Sequence, residues 1–169
     1  MSSKMLYGGL ALLVVSFFVI AIVFKSPEAP RPGVAHEDKG GGHVATKTYS
    51  GDEPPASGEH ANTIRWGVYQ EEVADVNVLH NLEHGGIYVS YRQDLPKEDI
   101  AKIEKLFSIP SSVDNFNPAK AVVAPRAANK ENIVVSSWNR SETFQEFDEA
   151  AMYEYYVRNI GKSPEPLGS

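Results

Sequence analysis

Apolar residues are distributed along this chain in three different ways. Residues 6–24, LYGGLALLVVSFFVIAIVF, form one uncharged run bounded by Lys4 and Lys25. From Ser26 to Gly58 the sequence SPEAPRPGVAHEDKGGGHVATKTYSGDEPPASG is dense in Pro, Gly and charge. Beyond it, short apolar runs alternate with segments of helical spacing.

Those later spacings predict the elements of a domain. TIRWGVYQ (63–70) is rich in β-branched and aromatic residues, and GGIYVSY (85–91) alternates like a half-buried strand. KAVVAP and NIVVSSW are two further strand-like runs, separated by the turn-like RAANKE. LPKEDIAKIEKLF places Ile100, Ile103 and Phe107 on one helical stripe, with Pro96 suited to the first turn. In FDEAAMYEYYVRNIG, Phe147, Ala151 and Tyr155 recur every four residues between an N-cap at Asp148 and a C-terminal stop at Gly161. VADVNVLHNLEH supplies a third helix, ended by Gly85-Gly86. Four strands and about three helices predict an α+β domain with a mostly antiparallel sheet over residues 59–169.

The N-terminal run has a different expectation. Its 19 residues reach roughly 28 Å as a helix, close to the hydrocarbon thickness of a bilayer. It is longer than a signal-peptide core and lacks a small-x-small cleavage site, which predicts an uncleaved single-pass transmembrane anchor over residues 1–25. The expected location is the cytoplasmic membrane, with the C-terminal domain on the periplasmic, extracytoplasmic side. Residues 26–58 read as a Pro/Gly-rich linker, extended near its prolines and flexible at Gly40-Gly41-Gly42. His36 and His43 fall in that linker and read as solvated bystanders.

Composition narrows the chemistry. The net charge of −6 and the lack of a basic run give no basis for nucleic-acid binding. With no cysteine, disulfides, thiolate metal sites and cysteine nucleophiles are excluded. Histidine is left as the candidate ligand. His80 and His84 are spaced i, i+4, which puts two imidazoles on one helix face, and His60 stands where the linker becomes the domain. Imidazole suits copper or zinc. The alternative is that His80 and His84 serve the helix C-terminus as favourable charges. HNLEH also fits the H-x-x-E-H zinc-hydrolase signature, with Glu83 as general base, but Gly-Gly ends the helix at once and the domain is small for a substrate cleft. Met152 and Trp138 read as core residues before ligands. Non-covalent haem on His80 or His84 is a further, weaker option, since no C-x-x-C-H occurs.

At SGEH, HNLEHGG, YR, WNR and FDEAA the chain resembles a bacterial family of membrane-anchored proteins known only as a domain of unknown function. The resemblance spans roughly Pro54 to Glu165. It implies the same layout of anchor, linker and domain, and places His60, His80, Glu83 and His84 on matching positions. Asn139 departs from the glycine expected between the Trp and the Arg. The resemblance implies no reaction. The expected function is therefore non-enzymatic: a membrane-anchored extracytoplasmic domain binding copper or zinc through His60, His80 and His84. The rival expectation is a structural accessory subunit, docked through residues 6–24 into a larger electron-transfer or photosynthetic membrane complex.

Overall fold

The computed structural model describes residues 30–108 and 119–166. The expected anchor at residues 6–24 lies outside them. Among the described residues no helix is long and apolar enough to cross a membrane.

The chain forms strands β1 (Val34–Ala35), β2 (Gly41–His43), β3 (Gly58–His60) and β4 (Gly67–Val68), then helix α1 (Asp75–Glu83) and strand β5 (Ile87–Tyr91). Helix α2 (Lys97–Ser108), strands β6 (Ala121–Pro125), β7 (Ile133–Ser137) and β8 (Arg140–Phe144), and helix α3 (Glu149–Asn159) follow. Six strands make one sheet in the order β1-β8-β7-β5-β6-β4, while β2 and β3 form a separate parallel pair. In the large sheet the β1–β8, β8–β7 and β7–β5 pairings are antiparallel, and β5–β6 and β6–β4 are parallel. The domain is thus α+β with a mostly antiparallel sheet and three helices among the described residues, as the pattern of apolar runs predicts.

Helices cover both faces of the sheet. Ile87, Val89 and Tyr91 of β5 pack with Ile103 and Phe107 of α2 and with Met152, Tyr155 and Tyr156 of α3. Tyr88 faces the other way and packs with Val78, Leu79 and Leu82 of α1, together with Val122, Ala124 and Trp138. All five residues of β5 are therefore buried, which corrects the half-buried reading of GGIYVSY. The parallel part of the sheet explains this: β4 to β5 and β5 to β6 are connected by helices, and those helices lie on opposite faces.

The helix ends follow their sequence signals. Asp148 accepts a 3.0 Å hydrogen bond from the Ala151 amide, and Pro96 provides the carbonyl that accepts from Asp99 and Ile100 at the start of α2. At the end of α1 the Gly85 amide donates to Leu82 and the Gly86 amide to Asn81. Gly85 has φ +83°, so the helix closes in a Schellman motif that needs a left-handed residue after its cap. The beginning of α1 is tied to the sheet by a buried pair in which Arg126, just after β6, holds Asp75 at 2.9 Å.

Two expectations change. The strand expected over TIRWGVYQ (63–70) is reduced to Gly67–Val68, and the Trp66 ring just before it packs against Gly86. More consequential, residues 31–58 are not a free linker. The compact unit begins at Arg31; Val34 and Ala35 pair with Ser141 and Arg140, and Gly41–His43 pair with Gly58–His60. Their polar, Gly-rich composition lacks a core-forming signal, but backbone pairing to strand edges requires no apolar side chain.

Candidate metal centre

The site is built on α1 and the β2–β3 pair. His43 and His60 are register partners on adjacent strands, so their rings stand side by side, with centroids 4.8 Å apart. His80, one turn before the end of α1, completes a triangle at 4.8 Å from His43 and 4.6 Å from His60. One ligand nitrogen from each of the three lies within 4.8 Å of the others. His84 lies 4.5 Å from His80 between centroids and joins a second group with His80 and Glu83.

Backbone carbonyls fix the orientation of the two inner imidazoles. His80 Nδ1 lies 2.7 Å from the Ala61 carbonyl, and His60 Nδ1 lies 3.1 Å from the Gly58 carbonyl. A carbonyl oxygen only accepts, so each Nδ1 carries a proton, and Nε2 is the nitrogen each neutral ring has to offer a metal. This is the outer-shell arrangement that prepares an imidazole for a metal. His60 is fully buried, and its Nε2 has no hydrogen-bond partner. Glu83 Oε2 lies 2.9 Å from that nitrogen yet off its hydrogen-bonding direction. A buried polar atom without a partner costs about 1–3 kcal/mol, and a bound cation would remove that cost.

A seam of polar residues along α1 holds the site together. Asn77 Nδ2 donates to the Asn62 carbonyl at 2.6 Å. The buried Asn81 both donates to the Ile64 carbonyl, at 2.9 Å, and accepts from the Ile64 amide, at 3.0 Å. With His80 on Ala61, these residues clamp chain 61–64 to the helix and thereby position His60 just upstream. Burial holds the His80 imidazole below its ordinary pKa of 6.5; nearby His60, His84 and His43 push the same way, against the Ala61 hydrogen bond.

The motif HNLEHGG can now be read residue by residue. His80 faces the triangle, Asn81 clamps the incoming chain, and Leu82 enters the core. Glu83 is buried beside His60. His84 caps the helix, Gly85 takes the left-handed turn, and Gly86 leaves room for the Trp66 ring, which any Cβ would strike.

Of the predicted ligands, the structure brings His60 and His80 together, but His84 does not share a group with His60. His80 stands between them. His43, read as a bystander, takes the third place. Its signal was available only through pairing, since nothing in the spacing of His43 and His60 reveals that they are strand neighbours. His36 lies elsewhere, with Nε2 2.7 Å from Ser141 Oγ. Met152 belongs to the core on the opposite face of the sheet, fully buried. Asn139 completes the two-residue turn between β7 and β8 at φ +57°. That explains why a glycine suits this position and why Asn, which tolerates left-handed backbone, replaces it.

Residues 43–169 match the family model described as "Protein of unknown function (DUF3105)". The chain belongs to this family. No curated protein and no solved structure matches it.

Proposed function

We propose that this protein binds a single divalent transition-metal ion, copper(II) or zinc, through His43, His60 and His80, and that it does so as a membrane-anchored, extracytoplasmic, non-enzymatic protein. The observation that carries the metal reading is His60: a fully buried imidazole with Nδ1 committed to a carbonyl and Nε2 without a hydrogen bond, set 2.9 Å from the Glu83 carboxylate and facing two other imidazoles.

The donor set narrows the ion. Nitrogen donors with a carboxylate nearby suit zinc and copper(II), whereas copper(I) favours thiolate or thioether; the chain has no cysteine, and Met152 is in the core. One ion is expected rather than two. His80 has only Nε2 to offer, because Nδ1 serves Ala61, so the group containing Glu83 and His84 is an alternative to the triangle and shares its central ligand. A hydrolytic role gains nothing from this geometry, since Glu83 is buried beside His60 instead of facing a cleft. Anchorage rests on the uncharged run at residues 6–24, and docking of that run into a larger membrane complex is a separate proposal, tested by the protein's migration in mild-detergent native gels.

The metal reading is tested by calorimetric titration of the full chain, in mild detergent, with zinc and with copper(II). The expected result is one ion per chain at micromolar affinity or tighter. His60→Ala with His80→Ala should abolish it, while His36→Ala should leave it intact. Circular dichroism checks that each variant is folded. Undiminished binding in the double variant, or no binding by the wild type, overturns the proposal.

A further inference from the structure

The three imidazoles do not come from equivalent parts of the fold. His80 is on α1, and His60 is fully buried at the entrance to the domain body. His43 is exposed and belongs to the stretch 31–58, which lies over the domain as a strap. Its two ends are fastened: Arg140 donates to the Arg31 and Gly33 carbonyls, Arg126 Nη2 to the Gly51 carbonyl and the Asn139 amide to the Ala56 carbonyl. Its middle, residues 37–50, is lightly attached. Three of its residues, Gly41–His43, pair with β3. The remaining links include Lys39 N–H to Ser57 Oγ, Tyr49 Oη–H to the Glu59 carbonyl, and the exposed Lys47–Glu59 pair. Exposed ion pairs add little stability, and bonds of this kind open locally at low free energy.

Yet the strap is shaped to pass closely over the site. A Cβ on Gly41 would fall on the Glu83 carboxylate and within 3.2 Å of His60 Cε1. With glycine at 41, β2 lies against the buried His60–Glu83 pair without displacing the carboxylate, and two residues later His43 is delivered beside His60. The Gly-rich run is therefore a close-approach device as well as a flexible one.

We infer that the ion is a clip: bound by His43 together with His60 and His80, it fastens the middle of the strap, residues 37–50, to the domain, and its removal releases that segment. This rests on the metal reading above and adds to it a conformational consequence. A tetrahedral site with bonds of about 2.0–2.1 Å brings its nitrogens to about 3.3–3.4 Å, so ion binding draws the imidazoles inward. His43 is the ligand with freedom to travel. The freed segment, residues 37–50, stays held at both ends, so its release opens a loop that carries Lys39 and Lys47.

Limited trypsin digestion of the full chain in mild detergent tests this, with cleavage after Lys39 and Lys47 read by mass spectrometry and cleavage after Lys162 as the internal reference. Zinc at about ten times its Kd should slow the two strap cleavages about tenfold relative to Lys162, and EDTA should restore them. His43→Ala, at an exposed position, should keep the fold, weaken zinc binding and lose the protection. Zinc that binds calorimetrically without slowing strap cleavage overturns the clip while leaving the metal site standing. So does a His43→Ala variant that keeps both affinity and protection. Absence of zinc binding altogether overturns both.

Discussion

The interior of the six-stranded sheet and the histidine triangle sit on the two sides of α1's contribution to the fold, and they are held by different forces. In the sheet, β5, β6 and β7 are buried along their whole length, and stability comes from apolar area removed from water on two faces. At the triangle the strands are three residues long, contain glycine, and are secured by side chains bonding to backbone: His80 to Ala61, Asn77 to Asn62, Asn81 to Ile64. The first region tolerates solvent conditions and depends on volume. The second depends on protonation, on hydrogen-bond satisfaction and, in the reading proposed above, on an ion. A protein can thus carry a stable scaffold and a conditional site within one domain, because apolar burial is indifferent to pH and ligands while a buried imidazole is not.

The largest expected effect breaks the scaffold and spares the site. Ile103 is fully buried between α2 and the sheet, so Ile103→Ala should lower the unfolding free energy by about 2–5 kcal/mol. Zinc affinity measured well below the melting temperature should stay within a factor of about two, because the ligands lie on the other face. A large loss of affinity would show that the two regions are coupled.

A smaller effect does the reverse. Asn81→Ala leaves the Ile64 amide and carbonyl without their side-chain partner, which should cost about 1–3 kcal/mol in urea unfolding. Here zinc affinity should fall by at least about tenfold, since the clamp on chain 61–64 positions His60. If affinity is unchanged, the polar seam is structural only.

The smallest effect concerns acid. An unfolded imidazole titrates near about 6.5, and burial holds folded His80 below that value. Above about 6.5 it is neutral in both states and nothing is lost. As the pH falls through about 6.5 the unfolded chain takes up the proton first, so stability falls and levels off only once folded His80 is protonated too. The ion-free wild type should therefore lose stability between about pH 7 and pH 5 more steeply than His80→Gln. Equal slopes would remove His80 from the account. With zinc present the same acidification should also weaken binding, because ligand imidazoles must be neutral.

Much of the scaffold was legible in the chain. The runs at 87–91, 121–125 and 133–137 are strands because β-branched and apolar residues there are bounded by turn formers. Ile100, Ile103 and Phe107 mark the buried stripe of α2 by spacing alone. β8 was missed: RSETF alternates weakly and owes its strand state to the two-residue turn at Trp138–Asn139 and to its partner β7. Tertiary pairing, in that case, supplied what propensity did not.

The site divides along the same line. Local sequence determined that His80 and His84 share a helix, that the helix stops at Gly85, and that no thiol takes part, because helical periodicity, left-handed caps and residue identity are properties of neighbours in the chain. Only the tertiary structure decided that His84 is the outlying member, that His43 is a ligand candidate, and that Gly41 exists to let one strand cross over a buried carboxylate. The partners in those contacts are far apart along the chain: His60 follows His43 by 17 positions, and Glu83 follows Gly41 by 42. Strand pairing of a polar, glycine-rich segment leaves no periodic trace, since the backbone groups that make it are the same in every residue.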